Sequence, residues 1–460
     1  MKKTKLLVVG AFAAAMAVTF SSCTPKSSGS TAGSSGGSGS GGSGTTTLRV
    51  LAYTDLAAPN AQATNARIWG GFEQANPDIK LNREELYNEP FHEKTSSYAA
   101  SGQLPDVVYL WPAGRSSMLH NNRLLKDLAP LVKQDGLDKQ FSEVALDVSG
   151  QAAGYLAMLP LTVTSSHAFY VNLEVLNELG LKPATTYSEL KAQVDVLTAA
   201  GKETVIMDNQ SDWVMLSCLF SMLAGRFGGA GWEKKILDGQ AKFSDPDFVA
   251  ALAFVKTLYD DKVIQQSSLS ASYGDGLGRF ANGAGAYFID GDWRVGSFIT
   301  DQTSKQAIIP VDRQPNFVMT VFPDIESAKL NKSTSTTLGT GYGISASIEA
   351  GSAKEAAAWK LIKYLVSTDI ETFMVETGAI STPAITTVDI SKLDLEPLQR
   401  QSANFTSQYT TGTVVLDSVF DAGIANVCNI GLQEIGMGSK SPEQVAQEVQ
   451  KAFETWKAKQ

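Results

Sequence analysis

The residues of this chain best suited to chemistry are aromatic and planar polar side chains placed where predicted strands end. Trp293 leads them: it lies in Gly291-Asp292-Trp293, after the strand-like run Ala286-Tyr287-Phe288-Ile289, with Asp292 at its side. Trp111 follows Asp106-Val107-Val108-Tyr109-Leu110 and is close to Arg115, while Tyr53 and Asp55 follow the run from Thr47 to Ala52. Asn209 and Trp213 belong to the polar run Asp208-Asn209-Gln210-Ser211-Asp212-Trp213, after Thr204-Val205-Ile206-Met207. Tyr87 and Glu89, and Tyr342 in a Gly-rich turn, complete the set. Aromatic faces cover C–H surfaces, and carboxylates, amides and guanidinium groups fix the direction of hydrogen bonds to hydroxyls. That combination suits an uncharged, hydroxylated ligand. Each residue also has a plainer reading: Trp293 and Trp111 as packing anchors, Asp292 as a solvated turn carboxylate, Asn209 as part of a cap on a packed Trp213, and Tyr342 as core.

Catalytic patterns fail on their spacing. His92-Glu93 begins a zinc-protease motif, but Ser96 stands where the second His belongs. Gly436-Met437-Gly438-Ser439-Lys440-Ser441 has the wrong order for a phosphate loop, and Gly274-x-Gly276-x-Gly278 reads as a flexible turn. The body has no Gly-x-Ser-x-Gly elbow. Asp290 and Asp292 could serve a retaining glycosidase, so a secreted glycoside hydrolase stays open as the alternative to a binding protein. No metal site and no cofactor are expected. A net charge of −9 argues against a nucleic-acid partner, which would want a basic face.

The elements that must position these residues alternate between strand and helix. After the first strand a helix covers Ala63 to Gln74, with Ile68, Trp69 and Phe72 at helical spacing, and Asn76-Pro77-Asp78 breaks it before the strand Ile79 to Asn82. A helix from Phe91 to Ser101 stops at Gly102. Such alternation predicts parallel sheets with helices on both faces, whose ligands sit at the carboxyl ends of the strands. Later helices run from Tyr187 to Ala200, Phe248 to Tyr259, Ser352 to Val366 and Pro442 to Trp456, the last announced by Ser441-Pro442-Glu443. Residues 47–460 exceed what one core comfortably serves, so two lobes are expected.

Ahead of this body, Lys2, Lys3 and Lys5 precede an apolar run from Leu6 to Phe20, short of the roughly 20 residues that span a bilayer. Residues 1–22 therefore read as a signal peptide. Phe20-Ser21-Ser22-Cys23 resembles the lipobox of bacterial lipoproteins, in which the cysteine carries lipid, although Phe20 and Ser22 depart from its usual Leu and Gly or Ala. The Ser/Gly/Thr-rich stretch after Cys23, to residue 46, has nothing to bury and reads as a flexible tether about 25 Å long. Of the other cysteines, Cys218 and Cys428 lie in apolar stretches and read as small core residues.

Five fragments in order resemble the family 1 extracellular solute-binding proteins, the sugar-binding lipoproteins of ABC importers. They are Phe72 to Ile79; Gly102-Gln103-Leu104-Pro105-Asp106-Val107-Val108; Gly154 to Pro160 with Tyr170-Val171-Asn172; Phe280 to Ala286 with Gly291-Asp292-Trp293; and Gly341-Tyr342-Gly343-Ile344 with Ala357 and Trp359. The resemblance implies a two-lobe α/β periplasmic-binding-protein fold, type II-like, with discontinuous lobes closing on ligand by hinge motion. It places crossings near Pro160 to Ser166, Phe322 to Ile325 and Ser381 to Ile390, so that the lobes comprise residues 47–162 with 325–385 and 163–322 with 390–460. It makes Trp293 a sugar-stacking residue and Tyr342 a ligand contact. It implies a carbohydrate ligand, ABC permease subunits as partners, membrane attachment through the Cys23 lipid and a monomeric state. A surface-anchored ligand sensor is the third reading.

Overall fold

The computed structural model describes residues 45–146, 154–335 and 337–459. The predicted signal peptide, Cys23 and nearly all of the tether lie outside them. The first strands are β1 (Thr46–Tyr53), β2 (Ile79–Leu86), β3 (Val107–Leu110), β4 (Leu159–Pro160), β5 (Thr162–Thr164), β6 (Ala168–Asn172) and β7 (Glu203–Ile206). They are followed by β8 (Gly285–Asp290), β9 (Phe317–Thr320), β10 (Ser333–Ser335), β11 (Thr337–Leu338), β12 (Gly341–Ile344), β13 (Thr382–Pro383) and β14 (Thr410–Thr413).

Two sheets build two lobes. The first has the order β2-β1-β3-β12-β4, with β1 parallel to both β2 and β3, and β12 antiparallel to β3 and β4. The second has the order β7-β8-β6-β9, with β7 parallel to β8 and β6 antiparallel to its two neighbours. Both faces of each sheet are covered, as the apolar strands require. On β1, Leu48, Val50 and Ala52 join a cluster with Phe72, Trp359 and Ile362, while Leu51 points the other way into a cluster with Phe91, Val108 and Leu119. On β6, Phe169 and Val171 face one cluster and Tyr170 the other. This is the period of two in a pleated strand, read out as two cores per sheet.

Helix boundaries follow local chemistry. The helix Glu89–Ser101 ends on Gly102, whose φ of 67° is the left-handed conformation a helix stop needs. The helix Pro442–Lys457 opens with a reciprocal cap: Ser441 Oγ accepts from Gln444 N–H and Gln444 Oε1 accepts from Ser441 N–H. Its buried stripe, Val445, Ala446, Val449 and Phe453, packs against the second lobe. The predicted helix from Tyr187 to Ala200 is broken in two, Tyr187–Ala192 and Val194–Ala199.

The lobes are joined where β5 pairs antiparallel with both β11 and β13. The second crossing thus runs through β11, not through Phe322 to Ile325 as expected. Phe322 and Ile325 are buried in the second-lobe core beside Phe169 and Tyr287, and Arg226, itself fully buried, donates to the carbonyls of Phe322 and Pro323. The segment from 325 to β10 therefore belongs with the second lobe. Cys218 and Cys428 are buried in the same core as free thiols.

Candidate functional site

Because β1, β2 and β3 run parallel, their carboxyl ends open on one edge of the first lobe, and that edge carries rings. Tyr53 closes β1, Tyr87 follows β2, Tyr109 lies on β3 and Trp111 just past it. Tyr53 sits at the centre. Its ring centroid lies 4.7 Å from Trp111 (edge to face), 5.1 Å from Tyr87 and 5.6 Å from Tyr109 (stacked). His92 adds a ring 4.8 Å from Trp111, and burial, with the nearby Arg115 charge, lowers its pKa to about 4, so it is neutral at physiological pH. Tyr342 meets Tyr109 edge-on at 5.2 Å; it lies in β12 rather than in a turn, and is both core and wall.

The second lobe faces this edge with aromatic residues held by polar bonds. Trp293 Nε1 donates to Tyr273 Oη at 2.8 Å, Tyr273 meets Trp213 edge-on at 4.7 Å, and the Arg294 guanidinium lies 3.6 Å from the Tyr273 centroid. Arg294 Nε donates to Asp290 Oδ2 at 2.6 Å, both side chains being buried. The Trp293 indole folds back over Gly291, where a β-carbon would come within 2.2 Å of the ring, so only glycine fits. Asp292 is fully buried. Its Oδ2 accepts from Ser165 N–H at 2.9 Å, its Oδ1 makes no hydrogen bond, and burial raises its pKa to about 7.

Between the two walls lies a cavity of about 420 Å³. It is lined by Tyr53, Asp55, Tyr87, Trp111 and Tyr342 of the first lobe and by Trp213, Asp292 and Trp293 of the second. Eight of the ten candidate residues thus converge. Two do not. Asn209 is buried beneath the second wall, where its amide donates to Tyr259 and Ser268, and it lines nothing. Glu89 is exposed at the start of its helix and is not part of the lining, although its charge acts on the lining residue Arg115. Asp55 lines the cavity but spends one oxygen on a local turn, accepting from Ala57 N–H.

Sequence reading missed Tyr109, Tyr273 and Asp417, all in the lining. Tyr109 lies within the strand that precedes Trp111, not past its end, so the strand-end rule did not reach it. Tyr273 precedes the Gly274-x-Gly276-x-Gly278 turn and an aromatic at a loop mouth was the available signal. Asp417 gave none: it matters because the other lobe's Arg115 donates to it at 2.7 Å, alongside Ser217 at 2.8 Å. A second clasp joins the lobes at Asn60, whose N–H donates to Asp301 Oδ2 at 2.7 Å and whose Oδ1 accepts from Gln302 N–H at 2.6 Å. Gly296 of the second lobe abuts Gly378 of the first so closely that a β-carbon on it would lie 2.1 Å from the Gly378 carbonyl oxygen. These contacts join the two lobes. The cavity's cationic groups, Arg115 and Arg294, are each paired with a carboxylate, so it offers rings and hydrogen bonds rather than a free cation.

Comparison with known proteins places this architecture. A family model described as bacterial extracellular solute-binding protein matches residues 71–397. Among solved structures, a chitin oligosaccharide binding protein is similar at a TM-score of 0.75 and 20% identity, covering 88% of this chain and 98% of that one. A protein from a study of xylan utilization by the thermophilic bacterium Caldanaerobius polysaccharolyticus matches at 0.76 and 18%, over 88% and 99% of the two chains. A maltose/maltodextrin-binding domain from Bdellovibrio bacteriovorus, bound to maltotriose, matches at 0.66 and 18%, over 90% and 100%. A comparison with curated protein sequences returns no match.

Proposed function

Since the chain belongs to the bacterial extracellular solute-binding proteins, and so works outside the cytoplasm, we propose that it captures a carbohydrate between its lobes and delivers it to an ABC permease. The observation that carries this reading is the pair of opposed aromatic walls. Tyr53, Tyr87 and Trp111 on one side and Trp213 and Trp293 on the other can sandwich the C–H faces of a pyranose ring. Hydroxyls would bond to Asp55 at the rim of those faces, with Asp292 and Arg294 buried in the wall behind. At about 420 Å³ the cavity falls within the range of small-molecule sites, roughly 300–1,000 Å³. The balanced Arg115–Asp417 and Arg294–Asp290 pairs favour a neutral ligand over a phosphorylated one. The similarity to proteins named for chitin oligosaccharides and maltodextrins supports an oligosaccharide within that class.

On this reading closure is driven by ligand contacts made to both walls at once, which stabilise the closed state by the difference in affinity between states. The chain has no catalytic step. Cys23 would carry the lipid that fastens a monomeric receptor to the membrane, with the Ser/Gly-rich stretch as tether; no helix among the described residues is long and apolar enough to cross a bilayer. The test is a thermal-shift screen against maltotriose, chitobiose, xylotriose and galactose, with chromogenic glycosides assayed in parallel. A binder at a hundred times its Kd gains about 2.7 kcal/mol of stability and releases no chromophore. Turnover of a glycoside would replace this reading with the hydrolase.

A further inference from the structure

The cavity does not end at its aromatic walls. Tyr342, which meets Tyr109 edge-on, also meets Trp69 edge-on at 6.0 Å, and Trp69 lines the same cavity. From there the lining passes to short stretches of both lobes. Asn60 holds them together: its side-chain amide donates to Thr300 O of the second lobe at 3.2 Å and to Thr377 O of the first at 3.1 Å. Ala58, Pro59 and Ala61 thereby come to line the cavity with Ala379 and Ile380, and the Gly296–Gly378 contact brings Ser297 up from the second lobe. Ala58, Pro59, Ala61 and Ile380 are half-buried and Ala379 is exposed, so these side chains keep surface to offer a ligand. The polar groups at this end are already engaged. Asn60 directs its N–H, its Oδ1 and its amide N–H groups at protein partners. Asn65 Nδ2 donates to Glu85 Oε2 at 3.2 Å, Thr340 and Tyr109 bond each other through their hydroxyls, and Thr162 Oγ1 donates to Thr382 O at 2.6 Å. The hydroxyls of Thr64 and Ser297 are what this end has left to give.

We propose that this end is a subsite for an apolar group carried by the ligand, an aryl or acyl substituent on the sugar, seated against Pro59, Ala61 and Ile380 while the sugar lies between the rings. The proposal rests on the carbohydrate reading and narrows it. A bare sugar ring turns hydroxyls to every edge, and a hydroxyl pressed against alkyl side chains loses its water without gaining a partner. An apolar substituent has no such loss and gains by leaving water. The cavity is graded, with rings and charged groups toward one end and alkyl side chains with engaged polar groups toward the other. A glycoside or sugar ester is graded in the same way. An unsubstituted oligosaccharide matches the ring end alone.

Titration calorimetry on the full chain compares methyl with 4-nitrophenyl glycosides of glucose, galactose, xylose and N-acetylglucosamine. In at least one pair the nitrophenyl member is expected to bind about tenfold more tightly than the methyl member. Ala61→Phe and, independently, Ala379→Phe at an exposed position put a ring into this end. Loss of the advantage in either variant, with the methyl glycoside bound as by wild type, supports the subsite. Equal affinity within every pair that binds overturns it. So does an advantage kept in full by both variants, which would put the aryl group on the aromatic walls instead. If no glycoside binds the wild type, the carbohydrate reading fails and the subsite is tested alone, with benzyl alcohol in a thermal-shift titration. Saturable stabilisation that Ala61→Phe removes then supports it, and stabilisation that is absent or survives the substitution overturns it.

Discussion

The two walls of the cavity achieve the same thing, a fixed set of rings, by different physics. In the first lobe rings hold rings: Tyr53 touches Tyr87, Phe91, Tyr109 and Trp111. In the second lobe a buried ion pair, Asp290–Arg294, carries Tyr273, and Tyr273 carries Trp293. A ring cluster degrades gradually, since each member has several neighbours. A buried polar chain fails at once, because removing one member leaves a charge without compensation. The first wall is suited to tolerance and the second to direction.

The largest effect should come from breaking that chain. Asp290→Ala leaves Arg294 buried and unpaired and is expected to cost about 3–5 kcal/mol, read as a shift in the urea unfolding midpoint. If the loss is no greater than for a surface carboxylate, the contrast between the walls collapses. Next, Trp293→Ala should abolish ligand-induced stabilisation in the thermal-shift screen, with a ligand-free cost of only about 1.5 kcal/mol because the indole is half-buried. Trp111→Ala should be milder. Four neighbouring rings remain, so affinity should fall about tenfold, or about 1.4 kcal/mol, by titration calorimetry.

The same contrast sets a prediction of another kind, which concerns pH. The first lobe also buries a carboxylate, Glu371, fully enclosed; its Oε2 accepts from Ile385 N–H, and among the described residues no cation pairs with it as Arg294 pairs with Asp290. Burial raises its pKa to about 9 from an ordinary 4.5. The folded state then binds the proton more tightly than the unfolded one. Its contribution is complete below pH 4.5 and is lost as pH rises toward 9. Glu371→Gln should flatten the fall in melting temperature between pH 5 and 9, whereas a matching fall in the variant would show that other groups set the slope.

Much of this was legible in the chain, for reasons that differ by residue. Strand-end rule and parallel alternation brought Tyr53, Tyr87 and Trp111 to one edge, because the position of a residue just past a parallel strand is a local property. Gly291-Asp292-Trp293 was legible from its place after an apolar strand and its resemblance to the family's Gly-x-Trp segment; the close approach of the indole to Gly291 is visible only in the fold. Asn209 was misread because a polar residue after a strand can turn inward as easily as outward, and only Ser268 and Tyr259, distant in sequence, decide which. The crossing at β11 was displaced from Phe322 by a fully buried Arg226, a tertiary contact no window of sequence contains. The bonds of Asp417 to Arg115 and of Asn60 to Asp301 and Gln302 join residues far apart in sequence, so no window of sequence marks them.

The meeting of Gly296 and Gly378 has a practical corollary. A methyl group at position 296 would strike a main-chain carbonyl at 2.1 Å, which no rotamer change can relieve. The relief available is for the two halves to swing apart. Gly296→Ala is therefore a built-in doorstop, a one-carbon wedge at the fulcrum that would trap the unshut form for study while leaving every ring in the mouth untouched.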